Sequence, residues 1–137
     1  MRLFSMALML CLCTACATAP DKTPAELAAQ NLAALRVVSP ALWGFKAGAG
    51  QGYFVEITAV DGHSVCNPTY CPTQAYVPAG EGSVEIMCGL MLGDLRVPQQ
   101  AGYYKGTFVA GHTYGIRPVT LVPHCDPEIV NITGDQH

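Results

Sequence analysis

Charge is what this chain has least of. Only 12% of its 137 residues are Asp, Glu, Lys or Arg, which excludes a long disordered protein or a heptad coiled coil, since both depend on dense charge. Basic residues are the scarcer kind: seven Lys and Arg stand against ten Asp and Glu, a formal net charge of −3. The basic footprint of a nucleic-acid binder is therefore missing, and no nucleic-acid partner is expected. Long apolar runs are missing too. The longest, residues 3–13, is interrupted at Ser5 and has eleven positions, well short of the ~20 that a membrane-crossing helix needs. What is plentiful is Gly, Pro and Cys, with 14, 10 and 7 copies. Gly and Pro are poor in helix interiors, so the composition points away from a helical bundle.

The N-terminus reads as an address. Arg2 supplies a positive start and residues 3–13 an apolar stretch of secretory length. Thr14-Ala15-Cys16 then resembles the lipobox of bacterial lipoproteins, with Cys13 where that pattern usually has Leu. The resemblance implies removal of residues 1–15 and acylation of Cys16. Ala17 stands where an Asp would retain such a protein in the inner membrane, which implies an outer-membrane anchor facing the periplasm. The alternative is ordinary cleavage after Ala15-Cys16-Ala17, a small-x-small site. Lipidation is favoured because residues 17–24 are small, polar and proline-punctuated, as a tether would be. Without Arg2 the chain keeps six basic residues against ten acidic ones, a net of −4.

Thr23-Pro24-Ala25-Glu26 is a helix start: Thr23 caps, Pro24 suits the first helical position, and Glu26 reaches back to the cap. Leu27, Leu32 and Leu35 predict a short helix running toward residue 35, which places residues 16–36 in a tether and 37–137 in the domain. From Tyr53 the period becomes two. Tyr53, Val55, Ile57 and Ala59 share one face, with Phe54, Glu56 and Thr58 on the other. Asp61-Gly62 follows as a hairpin turn. Val84, Ile86, Cys88 and Leu90 form a second alternating strand, residues 92–106 read as a long loop, and strands are expected around 107–109, 114–116, 119–122 and 128–132. The expectation is an all-β fold, a small antiparallel sandwich or barrel of six to seven strands.

Tyr76-Val77-Pro78-Ala79-Gly80, with Val84-Glu85-Ile86 after it, and Ala110-Gly111-His112-Thr113-Tyr114 look like two similar hairpins. These pieces resemble small proteobacterial lipoproteins of unassigned function that carry a transthyretin-like or PEGA-like β-sandwich behind a lipobox. The resemblance implies a fold and a location and brings no catalytic residues.

In an exported chain disulfides are the default for Cys66, Cys71, Cys88 and Cys125. Asn67-Pro68 favours a turn that brings Cys66 to Cys71, and Cys88 lies on an apolar face, which leaves it to Cys125. In the chain-entropy model, closed loops of 6 and 38 residues contribute about 2 and 4 kcal/mol.

The remaining constellations have plain explanations. Gly48-Ala49-Gly50-Gln51-Gly52 precedes a strand rather than the helix a phosphate site requires. Asp61, His63 and Ser64 hold the residue types of a hydrolytic triad, yet neighbours in one turn cannot align as nucleophile, base and orienter. No pair among His63, His112, His124 and His137 has zinc-like spacing, so neither metal nor cofactor is expected. Glu81 and Glu85 share one strand face. Asn131-Ile132-Thr133 is a glycosylation sequon that a bacterial lipoprotein would not normally use. Trp43, Tyr103 and Tyr104 are the candidate interface residues, being aromatics in loop-like surroundings. Together these features predict a non-enzymatic binding or structural module of the cell envelope, with the membrane and an envelope protein as partners. The alternative is a periplasmic inhibitor or immunity protein against a cell-wall hydrolase.

Overall fold

A computed structural model describes residues 21–38, 51–120 and 125–134. The fold is an all-β sandwich, whose elements among the described residues are a short helix, α1 (Pro24–Ala29), followed by β1 (Leu32–Val37), β2 (Gln51–Val60), β3 (His63–Ser64), β4 (Gln74–Pro78), β5 (Gly80–Leu92), β6 (Leu95–Phe108), β7 (Thr113–Thr120) and β8 (Asp126–Asn131). One sheet has the order β4-β1-β7-β8 and the other β3-β2-β5-β6. Between them lie Ala33, Leu35, Val77, Tyr114 and Ile116 from the first sheet, facing Val55, Ile57, Val84, Ile86 and Phe108 from the second. The expected antiparallel sandwich is present, with one parallel contact, between β1 and β7, among its pairings.

The helix is shorter than predicted. The Thr23 hydroxyl accepts from the Glu26 N–H at 3.2 Å and Glu26 Oε2 accepts from the Thr23 N–H at 2.7 Å, a complete capping box. Asn31 ends it with φ +54°, a left-handed value that Asn tolerates. Beyond it Ala33 and Leu35 alternate inward as strand residues, so from Leu32 onward the segment expected as tether and helix is part of a central strand. Ala and Leu are strong helix formers, and pairing with β4 and β7 overrides that preference.

The long loop expected over residues 92–106 is instead most of β6, which pairs with β5 from Leu92↔Leu95 to Gly80↔Phe108. Pro98 is accommodated because β6 is an edge strand and the register shifts there. Gly102 marks a close approach between the sheets, since a Cβ at that position would lie 2.2 Å from the Cys125 carbonyl oxygen.

Asp61-Gly62 forms the predicted hairpin turn, with φ of +50° and +76°. The two other similar turns are corners rather than hairpins: β4 and β5 lie in different sheets, as do β6 and β7. Gly80 and Gly111 take φ of +107° and +82° at these corners. Both corners hang on the junction between α1 and β1, where the Ala79 N–H donates to the Asn31 carbonyl at 3.0 Å and the Gly111 N–H to the Leu32 carbonyl at 2.9 Å.

Both expected disulfides are present. Cys66–Cys71 closes a surface loop with a Cα–Cα distance of 4.1 Å, and Cys88–Cys125 joins β5 to the residue before β8 across 5.9 Å, tying one sheet to the other.

Candidate binding site

Strand alternation sends Phe54 and Glu56 to the outer face of the β3-β2-β5-β6 sheet, where solvent would ordinarily meet them. Both are nevertheless buried. The Phe54 ring rests on Gly89 of β5, where a Cβ would come within 2.5 Å of it, and the Arg96 guanidinium covers the ring at 4.7 Å from its centroid. Arg96 Nη1 donates to Glu56 Oε1 in an ion pair that holds the guanidinium over the sheet. The Glu56 side chain keeps 10% of its exposure and that of Arg96 keeps 44%. A carboxylate so far withdrawn from water requires such a partner, and the guanidinium has further donors beyond the one given to Glu56.

The Cys66–Cys71 loop forms the other wall. Asn67 Oδ1 accepts from the Thr69 and Tyr70 N–H groups at 2.8 and 2.7 Å, and the Asn67 N–H donates to the Tyr70 carbonyl at 3.0 Å. This Asx-type turn inside a disulfide ring gives the loop one shape and leaves Tyr70 58% exposed. Past the loop, the Pro72 carbonyl accepts from Ile57 N–H and the Thr73 carbonyl from Val37 N–H, each at 2.8 Å, so its exit is bonded to both sheets. Loop and sheet enclose an open cleft of about 290 Å³, with Arg96, Tyr70, Thr69 and Pro98 among its lining.

A second cleft, of about 280 Å³, lies on the outer face of the β4-β1-β7-β8 sheet. Its charges are engaged with each other and with the segment before α1. Arg36 pairs with Asp21 at 3.1 Å, and Lys22 Nζ sits 4.9 Å over the Tyr76 ring while donating to Gln30. Arg36 and Arg96 are about equally exposed, and what sets the first cleft apart is its carboxylate, 10% exposed in Glu56 against 62% in Asp21.

No family model, curated protein or solved structure matches this chain. Its function has to be read from its own chemistry.

Cys16 and Trp43 lie outside the described residues. Tyr103 and Tyr104 part company: Tyr103 is 60% exposed on the outer face of β6, beside Glu85, whereas Tyr104 pairs with Val84 on the inner face and packs edge-on against Phe108 at 6.1 Å. The side chains of the triad-like turn bond to nearby backbone, in the turn and in the neighbouring strand β5. Asp61 Oδ1 accepts from Ser83 N–H at 2.9 Å, His63 Nδ1 lies 2.9 Å from the Asp61 carbonyl, and Ser64 Oγ accepts from Cys66 N–H at 3.3 Å. Asn131 of the sequon bonds His112 and Thr133. Among the described residues no group of three His, Cys, Asp or Glu side chains is placed to hold a metal, and no helix is long and apolar enough to cross a membrane.

Phe54, Glu56, Tyr70 and Arg96 are the site residues that sequence reasoning missed. The available signal was Phe54, an aromatic at an outward position of an alternating strand, which calls for a cover. Arg96 carried none, because it fell in the segment read as a loop.

Proposed function

We propose that this chain is an exported lipoprotein, tethered to the outer membrane through Cys16, whose β-sandwich acts as a non-enzymatic binding module for another protein of the cell envelope. The lipobox-like Thr14-Ala15-Cys16 supports the tether. Two disulfides in one small domain support an oxidising compartment. The observation that carries the binding reading is Tyr70, a large aromatic more than half exposed on a loop held by a disulfide and an Asx turn, in one cleft with the partly exposed Arg96. Rigid exposed aromatics and arginines give contact energy at low entropic cost, which is why they dominate binding surfaces.

A photo-crosslinking residue placed at position 70 in cells tests this. The expected result is one discrete adduct that disappears when Arg96 is replaced by Ala in a protein that remains folded. Adducts only from position 103, on the same sheet face, would move the surface elsewhere. No adduct from either position would overturn the binding reading. A cell-wall hydrolase as the captured species would select the inhibitor version of this function.

A further inference from the structure

We propose that the cleft under the Cys66–Cys71 loop is a receptor for a carboxylate, with the Arg96 guanidinium as its binding fork. This names the ligand chemistry of the surface assigned above and rests on that reading.

A guanidinium presents five N–H donors in a plane, a geometry that matches the two oxygens of a carboxylate. Arg96 is already held in place: Nη1 is committed to Glu56 and the Phe54 ring lies against the group, while 44% of the side chain remains open. Ordering a free arginine on binding costs rotamer entropy, and here folding has already imposed the order. The sign of the ligand's charge follows from burial. Glu56 is nine-tenths withdrawn from solvent, so an incoming cation would reach it only by displacing Arg96. Glu56 and Arg96 are the charged residues lining the cleft among the described residues, and the more exposed charge of the two is the positive one. An anion approaching the remaining donors keeps the Glu56 pair intact.

The rest of the lining describes what the carboxylate is attached to. Tyr70, Pro68 and Pro98 offer apolar surface and Thr69 a hydroxyl, in a volume of about 290 Å³ that suits the end of a chain or a single small unit. Two sources have this chemistry, a peptide C-terminus and a sugar acid.

The test is an amide-resonance titration of the oxidised full-length chain with N-acetyl-alanine and with glucuronate, each matched by a neutral counterpart, N-acetyl-alanine amide and glucose. At least one carboxylate should shift the amide resonances of Asn67, Thr69, Tyr70 and Cys71 while its neutral counterpart leaves them in place. The acid that binds names the source. Arg96→Lys, which preserves charge and removes the planar fork, should weaken binding about tenfold. The core signals of Ile57 and Ile86 report that the variant is folded. Equal shifts from acids and neutral counterparts, an Arg96→Lys variant that binds as the native chain does, or no shift from either acid would overturn the carboxylate assignment. A crosslinked partner at position 70 together with no response to either acid would sink this inference alone and leave the binding reading standing.

Discussion

At the scale of single residues, the adjacent tyrosines show how little a residue type says about its role. Tyr103 and Tyr104 share composition and neighbourhood, yet the two-residue period of β6 puts one in solvent and turns the other onto Phe108. The same logic hid the site. Phe54 and Glu56 were legible as outward residues, but the arginine that covers them lies 40 positions later in the chain, and only strand pairing brings it there. A further residue-scale assignment concerns Tyr114. Its ring packs edge-on against Phe108 at 5.2 Å and its hydroxyl accepts the Val109 N–H at 3.0 Å, pinning the β6–β7 corner. Tyr114→Phe keeps the packing and leaves that N–H without its partner. It should lower the free energy of unfolding by about 1 kcal/mol, read as a shift in the urea midpoint at unchanged slope.

At the scale of elements, local signals succeeded where the chain's own neighbours make the structure. The capping box at Thr23 and Glu26 and the turn at Asp61-Gly62 are interactions over two or three residues, and both form as read. The extent of α1 and the existence of β6 are decided by partners far away in sequence. Leu32-Ala33-Ala34-Leu35 is good helix composition, and residues 95–108 hold Pro98, Gly102 and Gly106, which are weak in strands. Each is drawn into a sheet by its neighbouring strands, β4 and β7 in one case and β5 in the other.

The cap also has a pH dependence. The hydrogen bond from the Thr23 backbone N–H and the contact with the Thr23 hydroxyl, with a lesser contribution from nearby Lys22, hold the Glu26 carboxyl below its ordinary value of 4.5 against the opposing effect of desolvation. A carboxyl lowered by folding stabilises the folded form above its unfolded-state value, and that contribution disappears as pH falls through the folded-state one. Acidification from about 4.5 downward should therefore fray α1 at its first turn, seen as chemical-shift changes at Glu26 and Leu27. Glu26→Gln retains an acceptor without the charge, so its cap should show no such titration. An unchanged profile in that variant would assign the fraying to another group.

For the whole molecule, the two disulfides act on different scales. Cys66–Cys71 spans five positions and shapes a loop, whereas Cys88–Cys125 spans 37 and fastens one sheet to the other. Loop-closure entropy predicts unequal losses. Replacing Cys66 and Cys71 together by Ala should cost about 2 kcal/mol and replacing Cys88 and Cys125 about 4 kcal/mol, both measured by urea unfolding without reductant. The first pair carries a second consequence: its removal frees the loop around position 70 and should abolish the adduct from the crosslinking residue placed there, in a protein that still folds. Loss of stability with the adduct retained would show that the loop's shape does not depend on its disulfide.

The sequence by itself determined the all-β class, the hairpin at Asp61-Gly62 and the helix start at Thr23. Each follows from side-chain period or from backbone torsions and caps that only certain residues adopt, which operate over short distances, whereas the expected Cys88–Cys125 pair spans 37 positions and is brought together by the fold. Only the tertiary structure decided that Leu32–Val37 is a strand, that the Gly80 and Gly111 turns are corners between sheets, and that Phe54, Glu56, Tyr70 and Arg96 share one cleft. Those outcomes depend on which strand lies beside which. That order is set by the joint burial of two apolar faces, a property of the whole chain that no short segment carries.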